Sequence, residues 1–97
     1  MTIYSTNEFM EELKKLDIDI DVINDDDAGE DWEIDVLYPK DGPHLIRINV
    51  CLFFCSDFVV KVFMINENKP CKAYMLEDWQ ELYDTINILI EIATKSI

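Results

Sequence analysis

Two strongly apolar segments that lie close together limit the fold of this 97-residue chain more than any other feature. They run over residues 44–54 and 58–65, and only three residues separate them. Each segment places large apolar side chains on both faces, and its polar interruptions are few: Arg47, Asn49 and Lys61. This pattern is typical of strands in the interior of a sheet, and the short connection predicts that the two pair as an antiparallel hairpin.

Two further segments, 17–22 and 32–38, alternate between carboxylate and apolar side chains. A period of two predicts half-buried strands that carry the carboxylates on one face. A register that sets Val22 opposite Trp32 pairs the apolar residues well. The same register sets like charges opposite each other, Asp21 with Glu33 and Asp19 with Asp35, an arrangement that destabilises a sheet by up to about 1 kcal/mol per pair.

Amphipathic helices are predicted at both ends of the chain. Ser5 followed by Glu8 fits a capping box, and apolar residues recur at helical spacing over 6–16. Asp78 with Glu81 fits the start of a second helix. The apolar stripe of this second helix, widened by Ile88 and Ile92, is broad enough to lie across a sheet.

The order of these elements predicts a single α+β domain over residues 1–97. Residues 71–75 fit a short edge strand, so we expect an antiparallel meander of four or five strands. Short connections place successive strands side by side and leave the N- and C-terminal helices packed on one face of the sheet.

The charge of the chain is concentrated in one segment. Between Lys15 and Lys40 lie ten carboxylates and no basic side chain, whereas the rest of the chain holds eleven acidic and eight basic residues. Such a field attracts cationic surfaces and repels phosphate, which excludes direct binding to nucleic acid or to an anionic membrane. The candidate partner-binding residues are Asp17, Asp19, Asp21, Asp25, Asp26, Asp27, Glu30, Asp31, Glu33 and Asp35.

A basic nucleic-acid-binding protein is the partner that this charge distribution predicts. In size and charge the chain is similar to phage-encoded antagonists of host defence nucleases, such as anti-CRISPR and anti-restriction proteins, although no motif carries the resemblance. The likeness implies an inhibitor that mimics nucleic acid and occupies a basic cleft. A bacterial immunity protein that neutralises a nuclease toxin would have the same charge distribution. So would an acidic domain whose surface is solvated and mimics nothing.

A second candidate surface is apolar. If the sheet face opposite the helices carries Leu45, Cys51, Phe53, Val59, Phe63 and Ile65, a partner or a second copy of the chain is expected to cover it. The interface residues expected there are Phe53 and Phe63. The element order also loosely resembles the small acidic secretion chaperones, which implies a chaperone or adaptor that binds clients through this face.

Metal binding is not predicted. Asp17, Asp19 and Asp21 have the first spacings of an EF-hand loop, but Val22 and Ala28 stand where that loop needs Gly and Glu. A looser divalent site in 25–31 stays open. Zinc would need the set His44, Cys51, Cys55 and Cys71, in which Cys51 and Cys55 lie about 13 Å apart on one extended strand.

Catalysis and cofactors are not predicted either. The chain has one histidine, which we expect to be exposed, two glycines, and no apolar pocket beside the acidic segment to raise a carboxyl pKa. Three cysteines, an odd number, fit free thiols in a reducing compartment. With no apolar run long enough for a membrane span and no signal peptide at its start, the chain is expected in the cytoplasm.

Overall fold

The computed structural model describes residues 2–24, 32–52, 57–64, 67 and 69–95. Five strands form one antiparallel sheet in the order β1-β2-β3-β4-β5, with a helix before it and a helix after it. This confirms the predicted α+β meander, including the fifth strand and the interior position of the two apolar strands. The elements are α1 (Thr6–Leu13), β1 (Asp19–Asn24), β2 (Glu33–Tyr38), β3 (Ile46–Leu52), β4 (Phe58–Met64), β5 (Lys72–Leu76) and α2 (Trp79–Lys95).

Both helices begin at the predicted caps. The Ser5 Oγ accepts a hydrogen bond from the Glu8 backbone N–H at 3.2 Å, and the Asp78 Oδ1 accepts one from the Glu81 N–H at 2.7 Å. α1 ends three residues earlier than predicted. The next N–H groups bond three residues back rather than four, from Lys15 to Glu12 and from Leu16 to Leu13, and this tighter turn closes the helix.

The hydrophobic core lies between the two helices and one face of the sheet. Phe9, Leu82 and Ile86 of the helices are fully buried, as are Ile48 and Val60 at the centre of the sheet. Four aromatic rings meet at one end of this core with centroids 4.6 to 6.1 Å apart, those of Phe9, Trp32, Phe58 and Trp79. The prediction was wrong for two residues of the α2 stripe, since Ile88 and Ile92 are 56% and 48% exposed.

The register of β1 on β2 differs by two residues from the one predicted. Val22 lies opposite Ile34 instead of Trp32, and Asp21 lies opposite Asp35. Trp32 precedes β2 and is only 5% exposed, because its ring packs in the aromatic cluster and so is not available to β1. In the described part of these two strands, one directly opposed pair of carboxylates therefore remains where the sequence predicted two.

The face of the sheet that points away from the helices is called the open face below. It carries alternate residues of each strand, and the register fixes which side chains are neighbours across it. Phe63 of β4 lies on this face as predicted, opposite Arg47, but Leu45 packs against the helix-side core and was placed on the wrong face. Phe53 and Ile65 lie outside the described residues.

Candidate protein-binding surface

Four carboxylates from two neighbouring strands share the open face. Asp19 and Asp21 project from β1, and Glu33 and Asp35 project from β2. Asp17 precedes β1 and is exposed. The other predicted residues, Asp25, Asp26, Asp27, Glu30 and Asp31, lie outside the described residues, in the segment that joins β1 to β2 along the chain.

A buried asparagine organises the two carboxylates of β2. Asn49 lies on β3 opposite Asp35 and is 7% exposed. Its Nδ2 donates to Glu33 Oε2 at 2.8 Å and to Asp35 Oδ1 at 2.9 Å. A primary amide has two N–H donors, so each carboxylate receives one of them. The amide thus holds two like charges in place on successive outward positions of one strand.

Because Asn49 is neutral, it orders these carboxylates without cancelling their charge. The nearest cation is Arg47, whose Nη1 lies 3.5 Å from Asp35 Oδ1. The Arg47 guanidinium also stacks over the Phe63 ring at 4.0 Å from the centroid. Lys61 is exposed and faces Asn49 across the next strand pair. Four acidic and two basic side chains therefore leave this described part of the open face negative.

Asp21 is the exposed member of the set. It is directly opposite Asp35, and its carboxylate makes no hydrogen bond or ion pair with another side chain in the described ranges. Like charges on directly opposite residues repel, and the contact of Arg47 with Asp35 relieves this repulsion only in part, since it lies on the Asp35 side of the pair. The Asp21 carboxylate is therefore the group of this pair that a basic side chain of a partner protein could still neutralise.

Cys51 completes the polar cluster and is not arranged as a nucleophile. Its Sγ donates to Asn49 Oδ1 at 3.3 Å, so the asparagine side chain is satisfied as both donor and acceptor. Burial raises the pKa of the Cys51 thiol, and the nearby negative charge of Glu33 raises it further. The thiol therefore stays protonated at neutral pH, which lowers its reactivity.

Asp19 belongs to a separate contact at the edge of the surface. His44 Nε2 lies 2.9 Å from Asp19 Oδ2, and the Asp41 backbone N–H donates to the same oxygen at 3.1 Å. The prediction of an ordinary exposed histidine was wrong, because this contact leaves His44 half-buried. The hydrogen bond with His44 lowers the pKa of the Asp19 carboxyl, and the Asp41 N–H lowers it further.

Asp19→Asn should change the acid limb of the stability profile. A carboxyl whose pKa is lowered by folding adds stability above its unfolded pKa of about 4 and loses it as the pH falls through the folded value. We expect the free energy of unfolding of the wild type to exceed that of Asp19→Asn at neutral pH, with a small difference that vanishes at lower pH. Urea unfolding from pH 7 to pH 2 measures it.

Asp17→Asn removes a charge two residues away and is the control for that series. If Asp19→Asn and the wild type keep the same difference in unfolding free energy at every pH, the Asp19–His44 contact does not form in solution.

The apolar part of the open face is smaller than predicted. Phe63 is only 8% exposed, and its ring lies under the Arg47 guanidinium. Cys51 and Val59 are half-buried, whereas Met75 on β5 is 71% exposed. Among the described residues, little apolar surface is therefore exposed at the centre of the open face. Its most exposed apolar side chain, Met75, lies on the edge strand β5.

Neither a metal site nor a membrane-spanning helix is found in the part of the chain that the structure describes. Within those residues no group of three or more His, Cys, Asp or Glu side chains is placed to hold a metal ion. None of the helices there has both the length and the apolar character needed to cross a membrane. Comparisons of the chain with family models, with curated proteins and with solved structures found no match.

Proposed function

We propose that this protein is a small acidic inhibitor that binds the basic cleft of a nucleic-acid-handling protein in the cytosol and keeps nucleic acid out of it. The observation that supports this most strongly is the set of four carboxylates on adjacent strands of the open face, two of them ordered by a neutral amide. The segment 25–31, which joins β1 to β2 along the chain, contains five more carboxylates.

The spacing of these charges suits recognition of a cationic groove. Successive outward residues of one strand lie about 7 Å apart and neighbouring strands about 5 Å apart, so each of the four carboxylates has at least two of the others within roughly one Debye length, and only Asp19 and Glu33 are farther apart, at about 14 Å. Their fields add in water instead of being screened separately. A partner with clustered Lys and Arg gains both a faster encounter and release of its counterions on docking.

The ordering of Glu33 and Asp35 also favours binding of a basic partner. Carboxylates that Asn49 already holds in place lose little side-chain freedom when a partner binds them. The opposed pair Asp21 and Asp35 carries repulsion that a bound cation would relieve. Binding of a basic partner thus gains from an arrangement that costs the free protein some stability.

The alternative function, an immunity protein that neutralises a basic nuclease, is supported by the same carboxylates and would use the same binding surface. A chaperone that acts through the open face has less support, because Arg47 covers Phe63 and no other large apolar side chain at the centre of the described face is exposed.

The proposal is tested by capture from a bacterial lysate with three forms of the protein. The first is the wild type, and the second replaces Asp25, Asp26, Asp27 and Asp31 by Asn. The control carries the same number of neutralising changes at exposed acids elsewhere, at Glu67, Glu77, Asp84 and Glu91. We expect the wild type and the control to capture a target protein that is released when a DNA or RNA duplex is added. The four-Asn variant should capture at least tenfold less of this protein.

Two results would contradict the proposal. One is a captured protein that stays bound in high salt and in excess nucleic acid. The other is equal loss of capture in the control and the four-Asn variant, which would mean that net charge matters and its position does not. Circular dichroism of all three forms establishes that they are folded.

A further inference from the structure

The two edges of the sheet differ in how they are protected. β1, at one edge, carries Asp19 and Asp21 and has an irregular register between Val22 and Asn24. Edge carboxylates and bulges both hinder pairing with another chain. β5, at the other edge, pairs without a register shift and holds a single charge, at Lys72. In the described structure β5 pairs with β4 alone, so its outer side is the less protected edge.

Apolar surface accompanies this edge. Met75 on β5 is 71% exposed and Met64 at the end of β4 is 49% exposed. A cavity of about 350 Å³ opens between the C-terminal half of α2 and the start of β5, lined mainly by apolar side chains that include Leu45, Val62 and Leu89. Exposed apolar side chains beside an unpaired strand edge are typical of a surface that another polypeptide covers.

We propose that a second copy of this chain pairs with β5, so that two five-stranded sheets join into one antiparallel sheet about a twofold axis. Directly opposite residues of an antiparallel pair share a face. Because the two paired strands are copies of β5, residues on the same face are both odd-numbered or both even-numbered, so the two positions of each pair sum to an even number. With Tyr74 on the axis, Ala73 meets Met75 of the other copy on the open face. Ala73, the smallest residue of the strand, thus packs against Met75, its most exposed large residue. The twofold axis makes this contact occur twice.

Charge favours this edge over the other. In the same arrangement Lys72 lies opposite Leu76, and the two Lys72 residues are about 14 Å apart, beyond the Debye length of roughly 8 Å. β1 is four strand spacings away, about 19 Å, so the carboxylates of the two copies stay at opposite ends of the joined sheet. Pairing through β1 would instead bring Asp19 and Asp21 of both copies together.

Sedimentation equilibrium over a range of concentrations tests the inference. We expect the wild type to approach twice the chain mass of 11.4 kDa. Met75→Lys, at an exposed position where the fold tolerates a charge, should sediment at the chain mass itself. Val22→Lys makes the same kind of change on the opposite edge, at a side chain that is 48% exposed, and should keep the dimer.

Hydrogen exchange adds a local readout, since the amides of β5 should become more protected as the concentration rises. A wild type that stays at the chain mass at the highest concentrations overturns the inference. So does a dimer that persists in Met75→Lys, or one in which exchange of the β5 amides does not depend on concentration.

Discussion

Ile86→Asp is expected to leave the chain without a cooperative unfolding transition. Ile86 is fully buried in α2 and contributes to the core between helix and sheet. An ionised carboxylate there has no partner to compensate it, and its desolvation costs several kcal/mol in addition to the lost apolar burial. A domain of this size has about 5 to 10 kcal/mol of stability to lose. Urea titration followed by far-UV circular dichroism measures the transition.

The matched control is Ile88→Asp, two residues further along the same helix. Ile88 is 56% exposed, so its replacement should change the free energy of unfolding by no more than about 1 kcal/mol. A cooperative transition in Ile86→Asp near that of the wild type, or equal effects of the two variants, would show that α2 presents a different face to the sheet.

Asn49→Asp is the second change with a large expected effect, about 3 to 5 kcal/mol at neutral pH. The substitution keeps the shape of the side chain but removes both N–H donors and places a third carboxylate between Glu33 and Asp35. Each lost hydrogen bond to a charged group costs about 1.5 to 3 kcal/mol, and at 7% exposure solvent offers little replacement. Urea unfolding of the variant and the wild type gives the difference.

The pH dependence of this variant distinguishes charge from packing. Three crowded carboxyls hold a proton more tightly in the folded state than in the unfolded chain, so the loss of stability should be full at neutral pH and shrink as the pH falls. Asn7→Asp is the control, because Asn7 is exposed in the first turn of α1 and a carboxylate there is neutral or slightly favourable. A loss of stability in Asn49→Asp that is the same at every pH would mean that Asn49 does not hold the two carboxylates.

The fold could be predicted from the sequence because its signals are local. The period of two in β1 and β2, the apolar runs of β3 and β4, and the caps at Ser5 and Asp78 each act within a few residues. The exposure of Ile88 and Ile92 could not be read in this way. It depends on where α2 lies on the sheet, and the width of an apolar stripe alone does not set that position.

The site was only partly predictable, because it depends on register between strands. The sequence shows that Arg47 and Asn49 interrupt an apolar strand at alternate positions, which is a signal that both point to the same polar face. It does not show that Asn49 reaches Glu33 and Asp35 or that Arg47 covers Phe63. A shift of the register by two residues leaves each side chain on the same face of the sheet but gives it a different residue opposite. The predicted faces were therefore right for β1 and β2, although the predicted cross-strand pairs were wrong.

Recognition of a basic cleft by the acidic segment is tested most directly by the rate at which the captured target associates with the three forms of the protein in stopped flow. Electrostatic steering by the acidic segment predicts that the wild type and the control with changes at Glu67, Glu77, Asp84 and Glu91 associate fast in low salt and slow down steeply as salt is added. The variant with Asn at 25, 26, 27 and 31 should start about tenfold slower and respond less to salt, with a smaller change in its dissociation rate. Equal association rates of the three forms in low salt would show that the acidic segment does not steer the partner, and the inhibitor proposal would fail.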